Sequence, residues 1–117
     1  NQRGAMYTVK ATDVQEVERL NARVRLVVTR NTFPGLEAAS QGMLSLDPGV
    51  AMKDHVHEKS IEIFYPVSGK AVLVIDGKEY LMEPGIAACV PKGVGHYLRN
   101  DSPNTAFQTI ITHVPHL

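Results

Sequence analysis

From residue 23 onward the chain is a series of short apolar runs broken by turn residues. "RVRLVVT" (23–29) alternates and is β-branched, and "NTFPG" ends it. "GMLSL" runs into "DPG", "IEIFYPV" into "SG", and "KAVLVI" meets "DG" before "KEYLM" returns. Asp-Gly between two apolar runs is a strong two-residue hairpin signal. "EPG" precedes "IAACV", "PKGVG" precedes "HYLRN", and "DSPN" precedes "AFQTIITHV". Turn signals recur about every 8 to 15 residues, the spacing of an all-β sandwich or small barrel, with no room for helical crossovers. The one candidate helix is "TDVQEVERL" (12–20), where Thr12 or Asp13 would cap and Glu16 completes a capping box with Asp13. A piece this short could equally be irregular.

Several of these strands are apolar on both faces. In "IEIFYPV", Ile61, Ile63, Tyr65 and Val67 share one side while Phe64 and Pro66 take the other. A lone sandwich with one wet face alternates more cleanly. The expectation is that a second subunit covers the outer face, a homodimer being the commonest symmetric assembly. The N-terminal segment is the other candidate cover.

The 117 residues predict one domain, with residues 1–6 ("NQRGAM") as a flexible or tag-derived tail. Twelve Lys+Arg balance twelve Asp+Glu, which gives no electrostatic reason to expect nucleic acid or an anionic membrane as partner. No stretch approaches the roughly 18 apolar residues a membrane helix needs, and no signal peptide is recognisable. A single cysteine, Cys89, excludes an internal disulfide and makes a cytoplasmic location the expectation. Within "IAACV" it reads as a small buried core residue.

The chemistry concentrates in "DHVHEKSIE" (54–62). His55 and His57 share one side of an extended chain, so two imidazoles can reach one ion. Glu62 sits five positions after His57, an odd offset, and joins them only if "EKS" turns the chain. Glu58 is expected in solvent. His96 opens an apolar run after a turn with two glycines, which aims a third imidazole inward. His113 reads as structural or exposed, and His116 as solvent.

Two spaced patterns frame these residues. The first is Gly49, five residues, His55-x-His57, four residues, Glu62, six residues, Gly69. The second is Gly85, five residues, Pro91-x-Gly93, two residues, His96, three residues, Asn100. Residues 70–84 separate them. In both patterns the sequence resembles the cupins, with every motif position filled. The resemblance implies a jelly-roll barrel (a double-stranded β-helix) of about six to eight strands holding one divalent transition-metal ion. It implies His55, His57, Glu62 and His96 as the ligands. Three imidazoles and a carboxylate suit Fe, Mn, Co, Ni, Cu or Zn and leave coordination positions open for a small molecule.

Strand parity extends the expectation to the pocket. Lys53 shares parity with His55 and could hold an anionic substrate, or reach solvent and pair with Asp54 or Glu58. Phe64 follows Glu62 inward, and Leu98 and Val94 follow His96, while Tyr65 and Tyr97 face away. Cupin chemistry is varied and the fold does not choose among its reactions. The expected function is a small metalloenzyme acting on a small organic molecule, with dioxygenation first and isomerase or lyase chemistry next. The alternative is a non-catalytic barrel that binds or senses a small ligand or sugar.

Overall fold

The computed structural model describes residues 7–117; the expected tail at 1–6 lies outside the described residues. Among the described residues there are nine strands: β1 (Val17–Arg19), β2 (Ala22–Val28), β3 (Ser40–Leu46), β4 (Ile61–Ser68), β5 (Ala71–Ile75), β6 (Lys78–Met82), β7 (Ala88–Val90), β8 (His96–Arg99) and β9 (Phe107–Val114). They form a six-stranded sheet in the order β1-β2-β3-β9-β4-β7 and a three-stranded sheet in the order β6-β5-β8. Every pairing is antiparallel. The all-β expectation holds, and so does the expected hairpin at Asp76-Gly77. Both residues have positive φ (51° and 74°), and Ile75 pairs with Lys78 across them. That is the backbone a two-residue turn of this kind requires.

The expected helix over 12–20 is corrected. A three-residue 3-10 turn, Ala11–Asp13, gives way to β1, which returns into β2 through Leu20 and Asn21 at φ 51° and 74°. A helix this short gains too few hydrogen bonds to offset nucleation. Pairing with β2 gives the same backbone a ladder.

The two sheets face each other across an apolar core. Val24, Leu44, Leu46, Met52, Phe64, Leu73, Met82, Val90, Leu98, Phe107 and Ile111 are all buried there. The last motif residue closes one end. Buried Asn100 donates from Nδ2 to the carbonyls of Leu46 (3.0 Å) and Thr105 (2.9 Å), and its Oδ1 accepts the Ser102 N–H (2.9 Å). Both its amide donors and its carbonyl are thus engaged, folding the loop between β8 and β9 and tying it to the end of β3.

Cys89 is exposed, contrary to the expected core position. β7 is the edge strand of the larger sheet and pairs only with β4, so alternation that buries Val90 turns Cys89 outward. On the outer face of the same sheet, Tyr65 and Val67 stand 60% and 41% exposed.

Two motif glycines separate strain from collision. Gly49 and Gly69 both sit at φ +77°, which side chains rarely adopt. A Cβ at Gly49 meets nothing, whereas one at Gly69 runs into the carbonyl of Ala106. Gly49→Ala should therefore cost about 1–2 kcal/mol, the left-handed penalty alone. Gly69→Ala should cost clearly more. Urea unfolding of the two variants checks this, and equal losses would remove the collision from the account.

Candidate metal centre

The segment 51–57 is pinned before it delivers its histidines. Ala51 bridges to Arg99 and His55 to His96, both antiparallel. His55 and His96 exchange two backbone hydrogen bonds, His55 N–H to His96 O (3.1 Å) and His96 N–H to His55 O (2.9 Å). The Gly93 N–H donates to His57 O (2.8 Å), tying the turn before His96 to the other histidine. The chain then turns through "EKS" as the odd offset required. Ser60 Oγ donates to Pro115 O (2.8 Å), and Glu62 arrives on β4. Glu58 is exposed.

The structure brings His55, His57, Glu62 and His96 together: one ligand-type atom from each lies within 4.8 Å of all the others. Their tautomers follow from the backbone. His55 Nδ1 lies 2.9 Å from Lys53 O, and His96 Nδ1 lies 2.9 Å from Val94 O. A carbonyl only accepts, so each Nδ1 carries the hydrogen and each Nε2, when neutral, is left with a free lone pair. The same two-residue hook thus orients both rings.

Glu62 is the charged centre. It is buried, yet His96 Nε2 lies 2.7 Å from Oε1 and His113 Nε2 lies 2.8 Å from Oε2. Burial raises its pKa, but the hydrogen bonds to His113 and His96 and the close approach of His57 outweigh that and hold the carboxyl well below the usual range. Burial pulls His96 down as well, and its bond to Glu62 reverses this and leaves it raised. Burial lowers His55, which favours the neutral form a ligand needs.

His57 Nε2 carries the sharpest observation. It is buried and lies 3.2 Å from Glu62 Oε1, yet it has no hydrogen-bond partner. A buried polar nitrogen left without a partner is costly. Here it is surrounded by the ligand-type atoms of His55, His96 and Glu62, so these residues fit a cation at their centre.

His113, expected as structural or exposed, is structural, and its partnership with Glu62 was not foreseen. It is 2% exposed, pairs with Glu62 across β4 and β9, and has Ser40 Oγ 3.4 Å from its Nδ1. The signal was parity: Phe107, Thr109 and Ile111 share its face and are all buried. His116 is half-buried, not solvated, and its Nε2 accepts the Arg30 N–H at 3.1 Å.

A cavity of about 90 Å³ adjoins the cluster, walled by Leu20, Val24, Leu26, Leu44, Met52, Ile111 and Leu117, with Arg19, His55, His57, Glu62 and His113 also on its surface. The residues expected to line a pocket are placed otherwise. Lys53 is exposed and off these walls: its segment is irregular, with isolated bridges at Ala51 and His55, so strand alternation does not hold through it. Phe64 and Leu98 do point inward, as parity predicted, but they end in the core and not on the cavity. Phe64 meets His96 edge-on, ring centroids 6.0 Å apart.

A family model described as "Cupin domain" matches residues 42–111, more than half of the chain. The chain belongs to the cupin family. No curated protein matches its sequence. Solved structures agree on the fold. A predicted oxalate decarboxylase from Thermotoga maritima superposes with a TM-score of 0.77 at 19% identity, covering 92% of this chain and 98% of that one. A polyketide cyclase from Streptomyces resistomycificus gives 0.78 at 21%, covering 93% and 79%. A Cupin 2 conserved barrel domain protein from Salinispora arenicola CNS-205 gives 0.76 at 23%, covering 94% and 89%.

The pair Glu62–His113 generates a test on the metal-free cupin. His113→Phe keeps a ring and removes the donor, leaving Glu62 Oε2 buried without its partner. The expected loss is about 1–3 kcal/mol in urea unfolding. Cys89→Ser, on the exposed edge, should stay within about 0.5 kcal/mol of the parent.

Proposed function

We propose that this cupin is a metalloenzyme in which His55, His57, Glu62 and His96 hold one divalent transition-metal ion against a small organic substrate. The partnerless His57 nitrogen, set among three other donors, carries the reading. Mixed imidazole and carboxylate donors suit Fe, Mn, Co, Ni, Cu or Zn. Such an ion would supply Lewis-acid activation and open coordination positions beside the cavity. The chain's own part is to hold two rings through the Lys53 and Val94 carbonyls and to fix Glu62 by its second oxygen through His113.

The titratable groups on the cavity surface are Arg19 and the cluster itself, His55, His57, Glu62 and His113. Among the described residues, the side chains on this surface offer no further acid or base. That favours reactions activated at the ion itself: oxygenation first, isomerase or lyase chemistry next. The variety of activities named for proteins of this fold, decarboxylase and cyclase among them, is consistent with a site that sets the reaction independently of the barrel. A barrel that binds a small ligand without turnover is the competing outcome, and turnover assays on the loaded protein decide it.

Metal analysis of protein purified without chelating resin is the direct test. The parent should carry close to one first-row ion per chain, and His57→Ala should lose it while its circular dichroism stays that of a folded barrel. Full metal content in His57→Ala would overturn the assignment.

The assembly proposed is a homodimer through the outer face of the larger sheet, where Tyr65 and Val67 lie exposed beside half-buried Ile63 and Ile110. Sedimentation at micromolar concentration should give twice the 12.8 kDa chain mass. A species of the chain mass alone would refute it.

A further inference from the structure

The cavity beside the four ligands has a cation at its mouth that neither motif includes. Arg19 pairs with Ala22, and Val17 with Val24, in the β1–β2 hairpin. Cross-strand partners share a face. Ala22 and Val24 are buried, and Arg19, though exposed like the rest of β1, shares their face. It lines the same cavity as His55, His57 and Glu62.

The hairpin carrying it is not free to drift. Lys53 N–H donates to Leu20 O (3.2 Å), and Asn21 Nδ2 donates to Ala51 O (3.3 Å). The turn after Arg19 is thereby tied to the segment that delivers His55 and His57, which holds cation and ligands in one frame.

Arg19 also has no ion pair and no hydrogen bond among the described residues, whereas its neighbours on β2 and beyond do. Arg23 pairs with Glu16 and Asp47, Arg30 with Glu37, and Arg99 with Glu79 and Asp101. Between Arg19 and the cluster the walls are Leu20, Val24, Leu26, Leu44, Met52 and Ile111. The cavity is small, about 90 Å³, and opens to solvent, which suits a ligand with a short body.

We infer that the ligand is a small carboxylate with a short aliphatic body, its carboxylate held by Arg19 and an oxygen donor at its other end facing the four-ligand cluster. The inference rests on the metal reading above and adds the substrate class. A planar guanidinium matches a carboxylate with two parallel N–H donors. The apolar walls contribute contact, and the one carboxylate side chain on the lining, Glu62, belongs to the cluster at the far end. The anion-holding role that strand parity suggested for Lys53 falls to Arg19 instead.

The test uses the full chain loaded with cobalt(II), with cobalt stoichiometry measured first. The probes are 3-hydroxybutanoate and its methyl ester, titrated by calorimetry and by the visible absorption of cobalt. The acid should bind the parent at least tenfold more tightly than the ester. Arg19→Ala should weaken the acid tenfold or more, change the ester less than twofold, and leave cobalt stoichiometry unchanged. Arg19→Lys should recover part of the acid's affinity. Cobalt bound, but acid and ester held equally or the acid indifferent to Arg19→Ala, would overturn the substrate class alone. A parent that binds no cobalt would overturn the metal reading and this inference with it.

Discussion

One buried carboxylate organises the inside of this barrel. Taking an ionised Glu out of water costs several kcal/mol unless donors replace the lost solvent. Glu62 recruits them from different parts of the chain, His96 from the smaller sheet and His113 from the neighbouring strand of the larger sheet, while His57 approaches from the loop between β3 and β4. The two sheets are therefore joined at this end by a polar link as well as by apolar packing. The donors share the job unequally. His96 and His113 each make a short bond to a different oxygen, which fixes the plane of the carboxylate. His57 comes near and makes none. The asymmetry leaves one imidazole nitrogen in want of a partner at the point where four donors converge.

That arrangement gives the cavity its character. Polarity is gathered into a single cluster, and the rest of the wall is aliphatic. A ligand entering from the Arg19 end meets charge at its two extremities and hydrocarbon between. Selectivity in such a site comes from length and end-group chemistry. The same barrel with other walls accommodates other chemistry, as the differing descriptions of its structural neighbours suggest.

The strands and the four donors were legible in the sequence because both are written locally. Turn residues punctuate each strand, and Asp76-Gly77 specifies its own hairpin. The donors stand at motif spacings that survive without knowledge of the fold. What was not legible depended on partners far along the chain. The segment 12–20 carries helical capping residues, and only pairing with β2 makes its end a strand. Cys89 sits in an apolar run, and only the edge position of β7 turns it outward. His113 lies 51 residues from Glu62 in sequence and directly opposite it in register. Its inward parity was readable from Phe107 and Ile111, but its partner was not. Lys53 shows the limit of parity itself: alternation along an irregular segment held by isolated bridges does not carry the side chain into the barrel.

The backbone ring between His55 and His96 has a further consequence. The two residues come from different motifs, yet the pair of reciprocal hydrogen bonds sets their spacing as it would in any antiparallel ladder. Side chains elsewhere in the barrel have no part in that spacing. Substitutions along Leu20, Val24, Leu26 or Ile111 can reshape the room without moving the fixture on its wall. Geometry that must be kept and geometry free to vary are thus assigned to different kinds of atom, main chain for the one and side chain for the other. A lineage could exchange one small molecule for another by repapering the cavity, with no need to rebuild the centre each time.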